Sequence, residues 1–332
     1  MGGFWTPQVS GSHSQHLLKG IRLSIFTTAG RNVDGMSMAE AIAHANLDWT
    51  VTTQPVLYQH EAEIKADGQY YANVRQDTGR VLGIVGSGYR VIQNSEVAAM
   101  AEAINGKNVR IETVGNLYAG ERIWFLMRGD SFNVGNRDDE VRPYTLLTNA
   151  HNGKHTLSVL PTTVRVICEN TLNAALRSSK MSVTIKHTGN IQSRISSLID
   201  GIEFFRVRTE QFAKQANLMA QREVTTDFVQ TFWTNVYISQ FGNIHENPVN
   251  ADQADDNSKA VSTMIKWSNT FDSESRITGS NLWTAANAVT NWLDHDQIYR
   301  GNNKTDNKFD DILFGDRAKA KIRVMEYALQ HS

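Results

Sequence analysis

Apolar residues recur at every seventh position from Ile191 through Leu198, Phe205 and Phe212 to Met219. Ile195, Ile202, Thr209 and Ala216 form a second seam beside them. That spacing places both rows on one helix face and predicts a helix of about 30 residues. The seam could pack within the chain or join copies of it. Helical spacing returns at Phe228, Phe232, Val236 and Tyr237, then at Val261, Met264 and Ile265. Leu282, Ala286, Val289 and Leu293 continue it, and Ile322, Met325 and Leu329 end it, so the last 140 or so residues read as helical.

The middle of the chain carries shorter, strand-like runs. Residues 51–58 are extended in character, and 70–75 with 80–85 read as a hairpin around Asp77-Thr78-Gly79. Tyr89 to Ile92 also reads as extended, before a helix capped by Asn94 or Ser95 and closed by Gly106. Two strands, 109–114 and 122–127, follow around Gly120, and Arg137-Asp138-Asp139-Glu140 reads as a charged loop. Residues 144–148 and 156–160 flank His151-Asn152-Gly153-Lys154, and Asn-Gly between two apolar runs is a strong hairpin signal. Pro161 is expected to break the second strand. Val164, Ile167, Cys168, Thr171, Leu172, Ala175 and Leu176 then predict a helix. The first 40 residues look weakly structured, up to a short helix capped by Ser37.

The fold class this predicts is α+β: an antiparallel hairpin sheet backed by helices, with a helical C-terminal region containing a long helix. The expected divisions are a weakly structured segment over 1–50, an α+β core over 51–190 and a helical region over 191–332. The 332 residues suffice to bury a core without staples. A single cysteine, Cys168, excludes an intramolecular disulfide framework. No apolar run approaches the roughly 18 residues of a membrane span, and the N-terminus does not read as a signal peptide.

Charge changes the picture. The chain holds 33 Lys and Arg against 34 Asp and Glu, for a net charge of −1. Between 151 and 199, however, stand Lys154, Arg165, Arg177, Lys180, Lys186 and Arg194, with Glu169 the only acid. A basic block in a neutral chain suits an anionic partner, or an acidic patch elsewhere in the same fold.

Candidate catalytic chemistry is sparse. Gly83-Ile-Val-Gly86-Ser-Gly88 lacks phosphate-loop spacing and is read as a bend between strands. His151 and His155 straddle a tight turn, which aims them poorly at one metal, and Cys168 falls on an apolar helical face. Asp294-His295-Asp296 reads as a helix end, and no Gly-x-Ser-x-Gly elbow exists. The expectation is therefore no catalytic residue, no metal and no cofactor.

Basic and aromatic residues on a sheet-plus-helix platform stand out instead. Arg90, Arg122 and Arg128 lie on or beside strands carrying Tyr89, Trp124 and Phe125, and Lys154 and His151 sit at the hairpin. Arg165, Arg177, Lys180 and Lys186 follow. Cations that track phosphates and rings that stack bases suit single-stranded DNA. In the competing reading the strand aromatics face the core.

Several stretches also resemble a known family. In order they are Leu82-Gly-Ile-Val-Gly-Ser-Gly-Tyr-Arg-Val-Ile-Gln-Asn94, Glu112-Thr-Val-Gly-Asn-Leu, His151-Asn-Gly-Lys, Thr163-Val-Arg-Val-Ile-Cys-Glu-Asn-Thr-Leu172 and Lys186-His-Thr188. Ala285-Ala-Asn-Ala-Val-Thr-Asn-Trp-Leu-Asp-His295 and Leu313-Phe-Gly315 complete the set. Together they resemble the phage/plasmid-like protein family, a domain of unknown function, which implies a phage or plasmid gene acting in bacterial cytoplasm. The element order is also similar to the core of ring-forming single-strand annealing proteins of the RecT, Erf and Redβ types. That resemblance implies a DNA-binding, recombination-type homo-oligomer with no membrane association. The alternative is a non-enzymatic protein that acts on a host protein partner.

Overall fold

Strands that bury every residue form the centre of the protein. In the computed structural model, which describes residues 25–105, 109–136, 139–166, 170–171, 183–188, 192–246 and 248–332, the main sheet is antiparallel throughout. Its path runs β1 (Gly30–Asn32), β5 (Arg110–Leu117), β6 (Arg122–Arg128), β8 (Glu140–Ala150), β9 (Leu157–Arg165) and β10 (Asn170–Thr171). Two short strands join it, β7 (Phe132–Asn133) on β8 and β11 (Val183–Ile185) on β9. β6 and β9 are buried almost end to end, because both faces of the sheet are covered.

On one face Ile123, Phe125, Leu147 and Val159 pack with Val97, Ala101 and Ile104 of α3 (Asn94–Ile104). On the other, Trp124, Leu126, Leu146 and Leu160 meet Phe26 of α1 (Ile25–Ala29) and Phe309, Ile312 and Leu313 of α8 (Lys304–Leu313). Residues 25–50 therefore belong to the core, contrary to the expectation of a weakly structured segment. Phe26, Leu47 and Trp49 are buried, and Ser37 caps α2 (Met38–His44) through a capping box with Glu40. Residues 1–24 lie outside the described residues.

The helical part gathers α4 (Gln192–Gln221), α5 (Thr226–Gln240), α6 (Ala251–Thr278), α7 (Leu282–His295) and α9 (Asp316–Leu329). α7 is buried continuously from Leu282 to Asn291, so the other helices pack around it. The expected long helix is α4, and the described residues of its seam's second half pack inside the chain. Phe205 packs into the sheet core, while Phe212, Ala216 and Met219 join the helical core.

A three-stranded antiparallel sheet stands apart from the main one: β2 (Val51–His60), β3 (Glu63–Arg75) and β4 (Val81–Gly86). The hairpin expected around Asp77-Thr78-Gly79 is β3–β4, and Gly79 takes a φ of +69° there. The distal halves of β2 and β3 are exposed on both faces, so they project as an arm.

Two expectations fail locally. Tyr89 to Ile92 is not a strand but a connection that opens with a turn, Tyr89 N–H donating to Gly86 O at 2.9 Å. The chain also continues as β9 through Pro161 to Arg165 where a helix was expected. Pro161 faces Thr145 of β8; β11 covers Leu157 to Val159 and β10 covers Val164 and Arg165. Proline thus falls where the outer edge of β9 has no partner among the described residues, the place a strand tolerates it.

Candidate nucleic-acid interface

The arm meets the main sheet at the β8–β9 turn. Gly83 of β4 lies so close to that turn that a Cβ would stand 2.4 Å from Asn152 Cα. Asn73 of β3, fully buried, donates through Nδ2 to His151 O at 2.7 Å. Tyr89 Oη donates to Ala150 O at 2.8 Å, and its ring stacks on His187 with centroids 4.6 Å apart. Arg90 N–H donates to His187 O at 2.7 Å. Three segments are therefore tied together at the foot of the arm: 89–90, 151–154 and 186–187.

The expected site residues divide into three groups. Arg90, Lys154 and Lys186 are exposed at this junction. Arg90 lies 3.6 Å from a Glu96 oxygen, and neither lysine pairs with a carboxylate among the described residues. Arg177 and Lys180 lie outside the described residues, as does Cys168.

The remaining candidates are engaged inside the fold. Arg165 is wholly buried: its Nε is 2.8 Å from Asp139 Oδ1, and it also pairs with Glu274. Trp283 Nε1 donates to the same Asp139 at 2.7 Å, so the expected charged loop contributes a buried anchor instead. Arg122 is buried, paired with Asp310 and laid over the Phe314 ring. Arg128 reaches Glu112 at 3.1 Å. Tyr89 has one ring face covered by His187, and burial raises its pKa.

His151 is a core residue, not a phosphate-facing one. Asn94 Nδ2 donates to Leu47 O and Trp49 O, which leaves its Oδ1 to accept from His151 Nε2–H at 2.9 Å. The tautomer follows: Nδ1 carries the lone pair, with no partner among the described residues. His187 is fixed likewise, its Nδ1–H donating to Arg90 O at 3.1 Å and its Nε2 left as an acceptor. Burial, aided by the nearby His187, pushes His151 down to about 3, and burial lowers His187 too. Asn149 Oδ1 is a third buried acceptor without a described partner. These ring nitrogens are the atoms a metal would use, but no group of three or more His, Cys, Asp or Glu gathers among the described residues.

Residues 81–313 match the family described as Domain of unknown function (DUF932). The chain belongs to that family. The match begins with β4, so it takes in the junction residues Tyr89, Arg90, Lys154 and Lys186 but not β2 and β3. No curated protein and no solved structure matches the chain. Among the described residues, no helix of this DUF932 protein is long and apolar enough to cross a membrane.

The sequence reading missed Asn73, Asn94, Asn149 and Gly83, which build the junction. Asparagine is common in loops, and nothing in the spacing of these residues marks them as buried partners of a histidine or a backbone carbonyl. The arm did leave a signal. Residues 51–58 and 70–75 read as extended, and they fall in β2 and β3.

Proposed function

We propose that the protein is a non-enzymatic, sequence-indifferent single-stranded DNA-binding protein that promotes annealing as an oligomer. Its setting is that of a phage- or plasmid-borne gene product in bacterial cytoplasm. The observation that carries this reading is the junction: Arg90, Lys154 and Lys186 come from three separate segments to the foot of the arm, exposed, with the two lysines unneutralised. Cations without internal partners can release counterions from a phosphate backbone, and that exchange supplies most of non-specific affinity.

The test is a salt titration. Fluorescence anisotropy of a labelled oligothymidine is measured with the full-length protein from 50 to 300 mM salt, beside a Lys154→Ala, Lys186→Ala double variant. Each lost phosphate contact flattens the plot of log K against log salt by about 0.7, so the double variant should flatten it by roughly 1.4. Absence of binding at 50 mM salt, or an unchanged slope in a folded double variant, overturns the reading.

A further inference from the structure

A single strand of DNA offers bases as well as phosphates, and the rings expected to stack on those bases are spent elsewhere. Trp124 and Phe125 are wholly buried, and one face of Tyr89 is covered by His187. Pairing register brings a different ring to the same place. Tyr71 of β3 stands opposite Val85 of β4, two residues along from the pair Asn73 and Gly83. Residues two apart on a strand, and their directly paired neighbours, share one face of a sheet. On that face Asn73 donates to His151 O and Gly83 abuts Asn152, while a Cβ on Gly153 would stand 3.0 Å from Val85 Cγ1. Tyr71 therefore rises on the side of the arm that meets the β8–β9 turn, next to Val85, which the turn touches one residue before Lys154. On its other side Tyr71 pairs with Pro55 of β2. Val85 is buried, Tyr71 half-buried and Pro55 exposed, so the surface opens as the sheet runs out from under the turn.

We infer that Tyr71 is the base-stacking residue of this interface, its ring taking a nucleobase while Lys154 and Lys186 hold neighbouring phosphates. The assignment rests on the DNA-binding reading above and adds a base subsite to it. Adjacent strands lie about 4.8 Å apart, which places Tyr71 within about 10 Å of the turn. Successive phosphates advance about 3.4 Å along a stacked strand, so about three nucleotides cover that distance. Stacking on a ring is indifferent to sequence, because every base has a π-face. Tyr70 is more open, 51% exposed, but strand alternation puts it on the far face of the arm, away from the turn and its lysine.

Two oligonucleotides of equal length and phosphate count, oligothymidine and its abasic counterpart, separate stacking from charge. Fluorescence anisotropy with the full-length protein should show the natural chain binding oligothymidine about 5- to 150-fold more tightly, the range one stacked base supplies. Tyr71→Ala should bind both oligomers alike and keep the natural salt slope, because it removes no cation. Tyr71→Phe retains the ring and should retain the preference. Tyr70→Ala is the control and should leave both affinities unchanged. If circular dichroism shows that Tyr71→Ala does not fold, Tyr71→Leu takes its place beside the natural chain's own comparison of the two oligomers. Equal affinity of the natural chain for both oligomers overturns the assignment and leaves DNA binding standing. So does a preference that survives Tyr71→Ala, or one that Tyr70→Ala abolishes equally. Failure to bind either oligomer overturns the DNA-binding reading itself, and this assignment with it.

Discussion

Acidification from pH 7 to pH 5 should destabilise the protein, and about 2 kcal/mol of the loss should trace to one side chain. His151 is fully buried and held near a pKa of about 3, while an unfolded chain protonates histidine near 6.5. Below pH 6.5 the unfolded state therefore binds a proton that the folded state refuses, and stability falls as pH falls. Each pH unit in that window costs about 1.4 kcal/mol per group, so His151 alone accounts for about 2 kcal/mol between pH 7 and pH 5. His187 and His155 are lowered by burial and act in the same direction. Carboxylates held low by hydrogen bonds, such as Glu140, lose their contribution mainly below pH 5, so this window isolates the histidines. The measurement is urea unfolding followed by tryptophan fluorescence at pH 7, 6 and 5, for the natural chain and for His151→Gln. The variant should be less stable at pH 7 but should lose about 2 kcal/mol less on acidification. A natural chain equally stable at pH 5 and pH 7, or a variant with the same pH dependence, refutes the reasoning. His187→Gln, with a smaller flattening, keeps the test usable if His151→Gln does not fold.

Arg165→Leu should cost about 3–5 kcal/mol, because it leaves Asp139 and Glu274 buried without their cation. A loss below 1 kcal/mol in urea unfolding would return Arg165 to the surface candidates. Lys321→Met should cost a similar amount, since Lys321 Nζ and Asp294 Oδ1 form a buried pair at 2.7 Å, and Lys321→Met with Asp294→Leu should recover part of it. Gly83→Ala should lower stability by about 1–3 kcal/mol, by forcing the arm off the β8–β9 turn. Faster proteolytic nicking within residues 51–75 than in the natural chain should accompany that loss.

The elements whose pattern is driven by burial were legible from the sequence. The heptads gave α4, the Asn152-Gly153 turn gave the β8–β9 hairpin, and apolar spacing gave α5, α7 and α9; the Val261 and Ile265 that suggested α6 are exposed on it. Where the reading failed, a tertiary contact overrode a local cue. Val164 and its neighbours have helical spacing, but a partner strand on each side of Arg165 holds the chain extended. Residues 25–50 look polar and loose, yet Phe26, Leu47 and Trp49 fill gaps that only the folded sheet creates. The candidate site was less legible still. A sequence records that a cation is present but not whether a carboxylate a hundred residues away has claimed it, and Glu274 has claimed Arg165.

That distinction decides what charge can do here. Among the described residues the basic block is thinner as a surface than as a count, because Arg165 faces inward onto two acids. Arg122 and Arg128, upstream of the block, are likewise spent holding Asp310 and Glu112. What remains among the described residues is smaller and more localised: Lys154 and Lys186, with Arg90 beside them, at the point where arm and sheet are pinned together. The same economy shapes the arm. Asn73, donating to His151 O, fixes the arm at that same point, so this polar group too is spent inside the fold. The two lysines and the arm's anchor are therefore separate groups at one place. Asn73→Ala, which loosens the arm, and the Lys154→Ala, Lys186→Ala pair, which removes charge, should therefore differ in the salt titration: only the second should flatten the slope. An Asn73→Ala variant that flattened the slope as much would show that the junction acts through its shape and not through its charge.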